Sequence, residues 1–464
     1  MKQRTIRLAA TGARVATGAV VAAACVLGVV AGAAAPWPEV RNEASGVTVA
    51  PVPADAVLVC NGSFRALGRD ATQASLMVSA TVPTVRIDGA ADGVEAAPLA
   101  MPDLAGGSGA QSLTGRVQDR EVPQFSASES VRLSDDDLSG FAAAPCREPS
   151  LGTWLVGGDL SVGASDVIVL SNPGQVAATV DLAAYGDSRR ASTVVVPAMT
   201  QLGVPLASVA AEGRAPVVQV SSSGAPIRAA LQAGLVRTLD PVGIDLQDGM
   251  SGPQSELLIL GVRSAAATEG DDTTGVVVRM LSPEDDATAT VRVLGAAPGQ
   301  AFEEYPVELA AGLPVEIALS GLPDGAHDIA IESSAPVVAA ARQTARAGAE
   351  EDFAWALPSP ELAAKATTLF SVPGGAPATL FLRNSGDEPI TASLSGTRSQ
   401  DVQLPAGASA ELDVSAGGYA LTATGRVHAA VGMRGGAGSP ALAGWPLWAG
   451  AATHQPIVVR TDGR

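Results

Sequence analysis

Lysine is nearly missing from this chain: Lys2 and Lys365 are the only two among 464 residues. With so few there is no Walker loop, and Lys365 lacks the serine three residues earlier that a penicillin-binding signature needs. We read the scarcity, set against many arginines, as codon bias of a GC-rich genome. Histidine is equally rare, at His327, His428 and His454, and none falls in a His-Glu-x-x-His or other close metal spacing. Gly-x-Ser-x-Gly elbows and Rossmann-type glycine fingerprints are missing too. Aromatic residues make up only 3%. Together these gaps leave little for hydrolytic, redox or nucleotide chemistry to use, and nothing that asks for a cofactor or a metal.

What is present is apolar and small. Hydrophobic residues reach 47%, mostly Ala, Val and Leu, punctuated by 51 Gly and 32 Pro. A disordered chain is poor in such residues, so the body must fold. The mixture suits many short strands joined by turns. The formal net charge is −18, and the four basic residues Lys2, Arg4, Arg7 and Arg14 all precede the first apolar run, leaving the rest more acidic still. Such a surface repels nucleic acid and anionic lipid.

Residues 15–35 carry no charge. As a helix they span roughly 31 Å, one hydrocarbon core. The basic residues in front stay cytoplasmic under the positive-inside rule, which puts the body outside. Residues 1–14 are therefore a basic cytoplasmic segment and 15–35 a signal anchor. Two rivals stay open: a cleaved signal peptide, through Ala31-Gly32-Ala33, and a lipoprotein, through Ala22-Ala23-Ala24-Cys25. Cys60 and Cys146 both fall on the exported, oxidising side and form one expected disulfide, with two free buried thiols as the alternative. A bridge over so long a loop is worth about 4 kcal/mol in the chain-entropy model.

Three stretches echo one another, starting at Asp166, Gly275 and Ala378. Each opens with a strand that ends in a polar turn, Asn172-Pro173-Gly174, Ser282-Pro283-Glu284 or Asn384-Ser385-Gly386. An alternating strand follows, and each stretch closes on a strand pair turning at 223–226, 334–336 or 425–427. Val180 and Leu182 alternate with Thr179, Asp181 and Ala183; Leu412 and Val414 alternate with Glu411 and Asp413. Period two means one buried and one wet face. The reading is an all-β fold of tandem β-sandwich-like repeats at 151–255, 256–358 and 359–464 behind the N-terminal transmembrane helix. Residues 36–150 form a separate β segment, with strands at 56–60 and 76–87. It holds a Gly/Ala/Ser-rich insertion around Ala90–Gly115 that is expected to be poorly ordered. Trp154, Trp355, Trp445 and Trp448 flank the repeats, as caps of cores or seams or, alternatively, as sugar-stacking platforms.

The basic anchor, Cys60-Asn61-Gly62-Ser63, Cys146 and the Asn-Pro-Gly-type repeats ending in Ala-Pro resemble a group of actinobacterial membrane-anchored cell-envelope proteins of unknown function. Members carry Cys-Pro-Gly-Pro where this chain has Cys60-Asn61-Gly62-Ser63. The resemblance implies a location and no activity.

Acidic clusters are the one recurring chemical feature: Asp135–Asp137, Glu269 with Asp271 and Asp272, Glu284–Asp286, and Glu350–Asp352. All are read as solvated turns or linkers. Calcium ligation or paired-carboxylate glycoside hydrolysis are the sharper alternatives. The expectation is a non-catalytic cell-envelope protein that binds or scaffolds at the outer membrane face. Its partner would be a membrane-bound envelope-biosynthesis protein or a cell-wall polymer. An enzyme that cuts envelope glycans with loop carboxylates is the alternative.

Overall fold

The computed structural model describes residues 2–34, 46–49, 54–67, 76–89, 93–118, 123–210, 215–264, 275–347, 350–436, 439–450 and 457–460. They fall into two units, residues 1–51 with 455–464 and residues 52–454. The smaller unit holds the helix Lys2–Ala34 and an antiparallel strand pair, Gly46–Val49 with Ile457–Arg460. Within the helix, Val15–Gly32 has mean hydropathy 2.2 and is long and apolar enough to cross a membrane. Nothing of the unit covers those side chains, as an anchor or a signal sequence requires.

The larger unit is all-β and sandwich-like. In the region 152–248, one sheet runs Gly152–Val156, Val217–Ser223, Ala178–Tyr185, Arg190–Val196. Its partner sheet runs Thr200–Pro205, Val167–Asn172, Arg228–Arg237, Asp240–Asp248. Val180 and Leu182 from the first meet Ile168, Leu170 and Leu231 from the second in one core. Thr179 and Asp181 face out. Each buried Val, Leu or Ile contributes roughly 1.5–3 kcal/mol by leaving water.

The same pairing order recurs twice. Between 361 and 446 the sheets run Thr368–Val372, Gly417–Ala423, Ile390–Gly396, Gln400–Leu404 and Ser409–Val414, Ala378–Arg383, Val427–Arg434, Leu442–Pro446. Leu412 and Val414 point into their core while Glu411 and Asp413 stay exposed. Between 254 and 356 the order is again the same, with one difference. The turn expected at Ser-Ala-Pro 334–336 does not form; a single strand, Gly325–Ala347, passes from one sheet into the other. Pro336 lies where the strand leaves one ladder for the next and has no partner in either, so its missing N–H costs nothing.

The N-terminal β segment has three small sheets. The stretch expected to be a poorly ordered insertion carries strands Val94–Pro98, Leu104–Ala105 and Gln111–Gly115 among its described residues. Its small residues serve close packing: a Cβ on Gly109 would lie 2.9 Å from Val82 Cγ1 and one on Gly115 2.8 Å from Phe125 Cε1. Leu99, Ala110 and Leu113 are buried accordingly.

Four strands, one from each region, meet at the centre of this unit: Ser139–Pro145, Asp240–Asp248, Glu350–Ala356 and Leu442–Pro446. Each packs beside the next in chain order, and the last packs against the first, so the four close a ring. Ala142, Ala143, Ala354 and Ala443 keep that axis narrow.

Candidate functional site

Among the described residues, Asp352 is the charged side chain that reaches all four strands of the axis. It is fully buried. Its carboxylate accepts backbone N–H bonds from Phe141 (3.0 Å), Ile244 (3.2 Å) and Leu442 (3.0 Å), one from each of the other axial strands, and from its own neighbour Phe353 (3.1 Å). Gly140 and Gly243, with φ of 146° and 148°, make room: a Cβ on either would stand 2.6 Å from Asp352 Oδ1. Burial drives the Asp352 carboxyl well above its ordinary range, and the four N–H donors pull it back. Asp245 repeats the device between two strands, accepting from Trp355 N at 2.8 Å and Leu246 N at 2.9 Å. Burial pushes its carboxyl up to about 7.

This corrects one expectation. Glu350–Asp352 is not a solvated linker but the start of an axial strand. Glu351 bonds Arg237 at 3.1 Å and Arg346 at 3.0 Å. The other clusters differ. Asp135–Asp137 lie exposed in the turn before Ser139, and Glu284–Asp286 are exposed in a turn where Asp286 accepts the Ala311 N–H. Glu269, Asp271 and Asp272 lie outside the described residues, as does His454.

The segment Cys60–Ser63 is a clasp. Cys60 and Cys146 are joined in a disulfide across 86 positions. Arg228, from the neighbouring sheets, donates to the carbonyls of Val59 (2.6 Å) and Pro145 (2.8 Å), the residues just before each cysteine, and to Asp248 (2.7 Å). Glu129, fully buried, accepts from Asn61 N at 2.7 Å and Gly62 N at 3.2 Å, and burial raises its pKa. Gln201 donates to Asn61 O at 2.7 Å.

The polar turns are latches. Asn172 donates to the carbonyls of Val176, Val196 and Pro197 and accepts from Gly174 N. Asn384 makes the matching set with Glu388, Leu404, Pro405 and Gly386. Ser282, in the same place, reaches only Asp285 O. A serine has too short an arm for the other bonds.

Histidines and tryptophans sort in the same way. His327 is buried against Pro323 O and Ser264. Trp154, Trp355 and Trp445 sit in cores. Trp448 differs: it is half-buried, touches the cores of both the 254–356 and the 361–446 regions, and carries the Arg147 guanidinium 3.4 Å from its ring centre. Beside it a cleft of about 850 Å³ opens between those two regions. Exposed Gln254, Ser255 and Glu256 line it, facing His428 and Ser359. His428 Nδ1–H donates to Ser359 O at 2.7 Å, and burial lowers its pKa, so the neutral ring offers Nε2 as an acceptor. Among the described residues no group of three or more His, Cys, Asp or Glu side chains is placed to hold a metal ion.

The residues lining the cleft come from distant segments, and no spacing in the chain announces them. Of the axial acids Asp245 left a faint trace, a single carboxylate inside an apolar stretch (Ile244-Asp245-Leu246) where an unpaired charge is costly, whereas Asp352 is masked as the last residue of Glu350-Glu351-Asp352.

The fold and these features define a class: an all-β, sandwich-like body that follows one N-terminal apolar helix, with the buried carboxylates Asp352, Asp245 and Glu129 bonded to backbone N–H groups. Residues 102–418, about two-thirds of the chain, match the model of a family of unknown function, DUF5719. The chain belongs to that family. Neither the curated proteins nor the solved structures yield a match.

Proposed function

We propose that this is a membrane-tethered, extracytoplasmic protein that binds or scaffolds a cell-envelope component and performs no catalysis of its own. The observation that carries the reading is the use made of the buried carboxylates. Asp352, Asp245 and Glu129 each accept backbone N–H bonds that join separate regions. A general acid or base must instead face a substrate. The apolar helix with basic residues before it supports the tether. The disulfide supports an oxidising compartment for the body. A single anchor would hold the body near the membrane enzymes that build the wall, which makes a membrane-bound biosynthesis protein or a wall polymer the partner of this reading.

Crosslinking in the native membrane, followed by identification of the captured species, tests the reading. One stoichiometric protein or polymer partner is expected. Glycan cleavage by the purified chain, abolished by a single carboxylate substitution, would overturn it. A reporter that works only outside the cytoplasm, fused after Arg464, should be active; an inactive one would contradict the topology.

A further inference from the structure

We infer that the cleft beside Trp448 is a binding site for a neutral oligosaccharide chain. This rests on the binding reading above and names its ligand. The volume, about 850 Å³, is within the range of small-ligand sites. The charge inventory selects the chemistry. Of the ionised groups that line the cleft, Arg426 pairs with Glu361 at 3.2 Å, Glu332 pairs with Arg292, and Arg383 is held by Asp328 at 3.0 Å. Only Glu256 makes no side-chain hydrogen bond or ion pair among the described residues. Among the described residues every cation lining the cleft is paired, Arg147 beside it is stacked on Trp448 and donates to Gly249 O, and the strongly acidic chain repels an anionic ligand.

Apart from Glu256, what remains free is uncharged. Ser359 lines the cleft, is 4% exposed, and its Oγ is closed off from solvent with no hydrogen-bond partner. A buried hydroxyl left so costs about 1–3 kcal/mol, and a rotation about χ1 toward the cleft would let a ligand hydroxyl recover it. His428 Nε2 adds an acceptor, and Gln254 and Ser255 add donors and acceptors. Glu256 can take two hydroxyls at once. A sugar matches this set because each of its hydroxyls both donates and accepts. Trp448 lines the cleft with the part of its ring that Arg147, stacked 3.4 Å from the ring centre, leaves uncovered, and that apolar surface suits the C–H face of a sugar.

The test uses the full-length chain in lipid nanodiscs, which avoids sugar-headed detergents. The probes are maltohexaose, cellohexaose, mannohexaose and arabinohexaose, read by saturation-transfer NMR and calorimetry. Saturable binding of at least one is expected. Trp448→Ala should abolish it, and the surface double variant Gln254→Ala/Glu256→Ala, which spares the cores, should weaken it ~10-fold or more, as the loss of two hydrogen bonds predicts. Val162→Ser, on an exposed residue outside the cleft, should change nothing. Should Trp448→Ala fail to fold, the double variant still decides. Binding that both variants leave intact would overturn the assignment. So would tight binding of a proline-rich peptide with no sugar binding. No binding of any sugar, with a protein partner still captured in the membrane, would overturn the glycan site and leave the scaffold reading standing. Cleavage of a bound sugar would keep the site and overturn the non-catalytic reading.

Discussion

The axis and the cleft both hold carboxylates, and they use them in opposite ways. Asp352 spends its oxygens on four backbone N–H groups from four strands. Glu256 stands exposed on the edge of a cleft with its oxygens unclaimed. The lesson is that an acid in this chain must be judged by its partners and not by its neighbours in sequence. Glu350-Glu351-Asp352 and Glu284-Asp285-Asp286 read alike on paper. One begins a central strand, and the other ends in solvent.

The sharpest way to break the contrast is to swap the two sites. Asp352→Ala should cost about 4 kcal/mol, because four buried donors lose their acceptor at once. Glu256→Ala should stay within about 0.5 kcal/mol, as exposed positions do. Denaturant unfolding of both variants checks the pair; equal losses would erase the distinction. Reduction of Cys60–Cys146 comes next. It should lower stability by roughly 2–4 kcal/mol and loosen the N-terminal β segment first, seen as faster hydrogen exchange near Asn61 and Leu113 than near Leu380.

The latches give a smaller and internally controlled effect. Asn384→Ala and Asn172→Ala each remove a buried amide with several partners and should cost about 2 kcal/mol, whereas Ser282→Ala removes a single bond and should cost about 1 kcal/mol. Matching losses at all three would show that the extra bonds carry no weight.

The last effect is on pH, and it is spread over several pH units. Asp245 and Asp166 have carboxyls raised to about 7, chiefly by burial. A raised folded pKa means the native state holds the proton more tightly than the unfolded chain. The stabilisation is therefore complete below about pH 4, the unfolded value, and is lost as pH rises toward 7. Stability should fall across that window by at most ~1.4 kcal/mol per pH unit for each group. Asp245→Asn should flatten the slope, measured by urea unfolding at several pH values. A slope that rises with pH would contradict the assignment.

Much of the fold is legible from local pattern. Val180 and Leu182 against Thr179 and Asp181 define a two-sided strand without any knowledge of its partners. The Cys60–Cys146 bridge is legible because two cysteines that follow an N-terminal apolar helix are expected to pair. The axis is not, since its hydrogen bonds join positions 141, 244, 352 and 442, and no local window contains two of them. The strands around Leu113 were obscured for a different reason. Small residues that allow close packing look the same in sequence as small residues that confer freedom. The cleft is the least legible part, because its lining is assembled from several separate segments and from a tryptophan whose three counterparts are core residues.

The most direct test of the account places a photo-crosslinking amino acid at one exposed position at a time in the native membrane. Gln254 and Ser255 sample the cleft, and Val162 and Leu239, both far more exposed than buried, sample surface outside it. The account predicts one defined adduct from the cleft positions and none from the other two. Adducts of equal yield from all four positions, or a defined partner captured only at Val162 and Leu239, would contradict it.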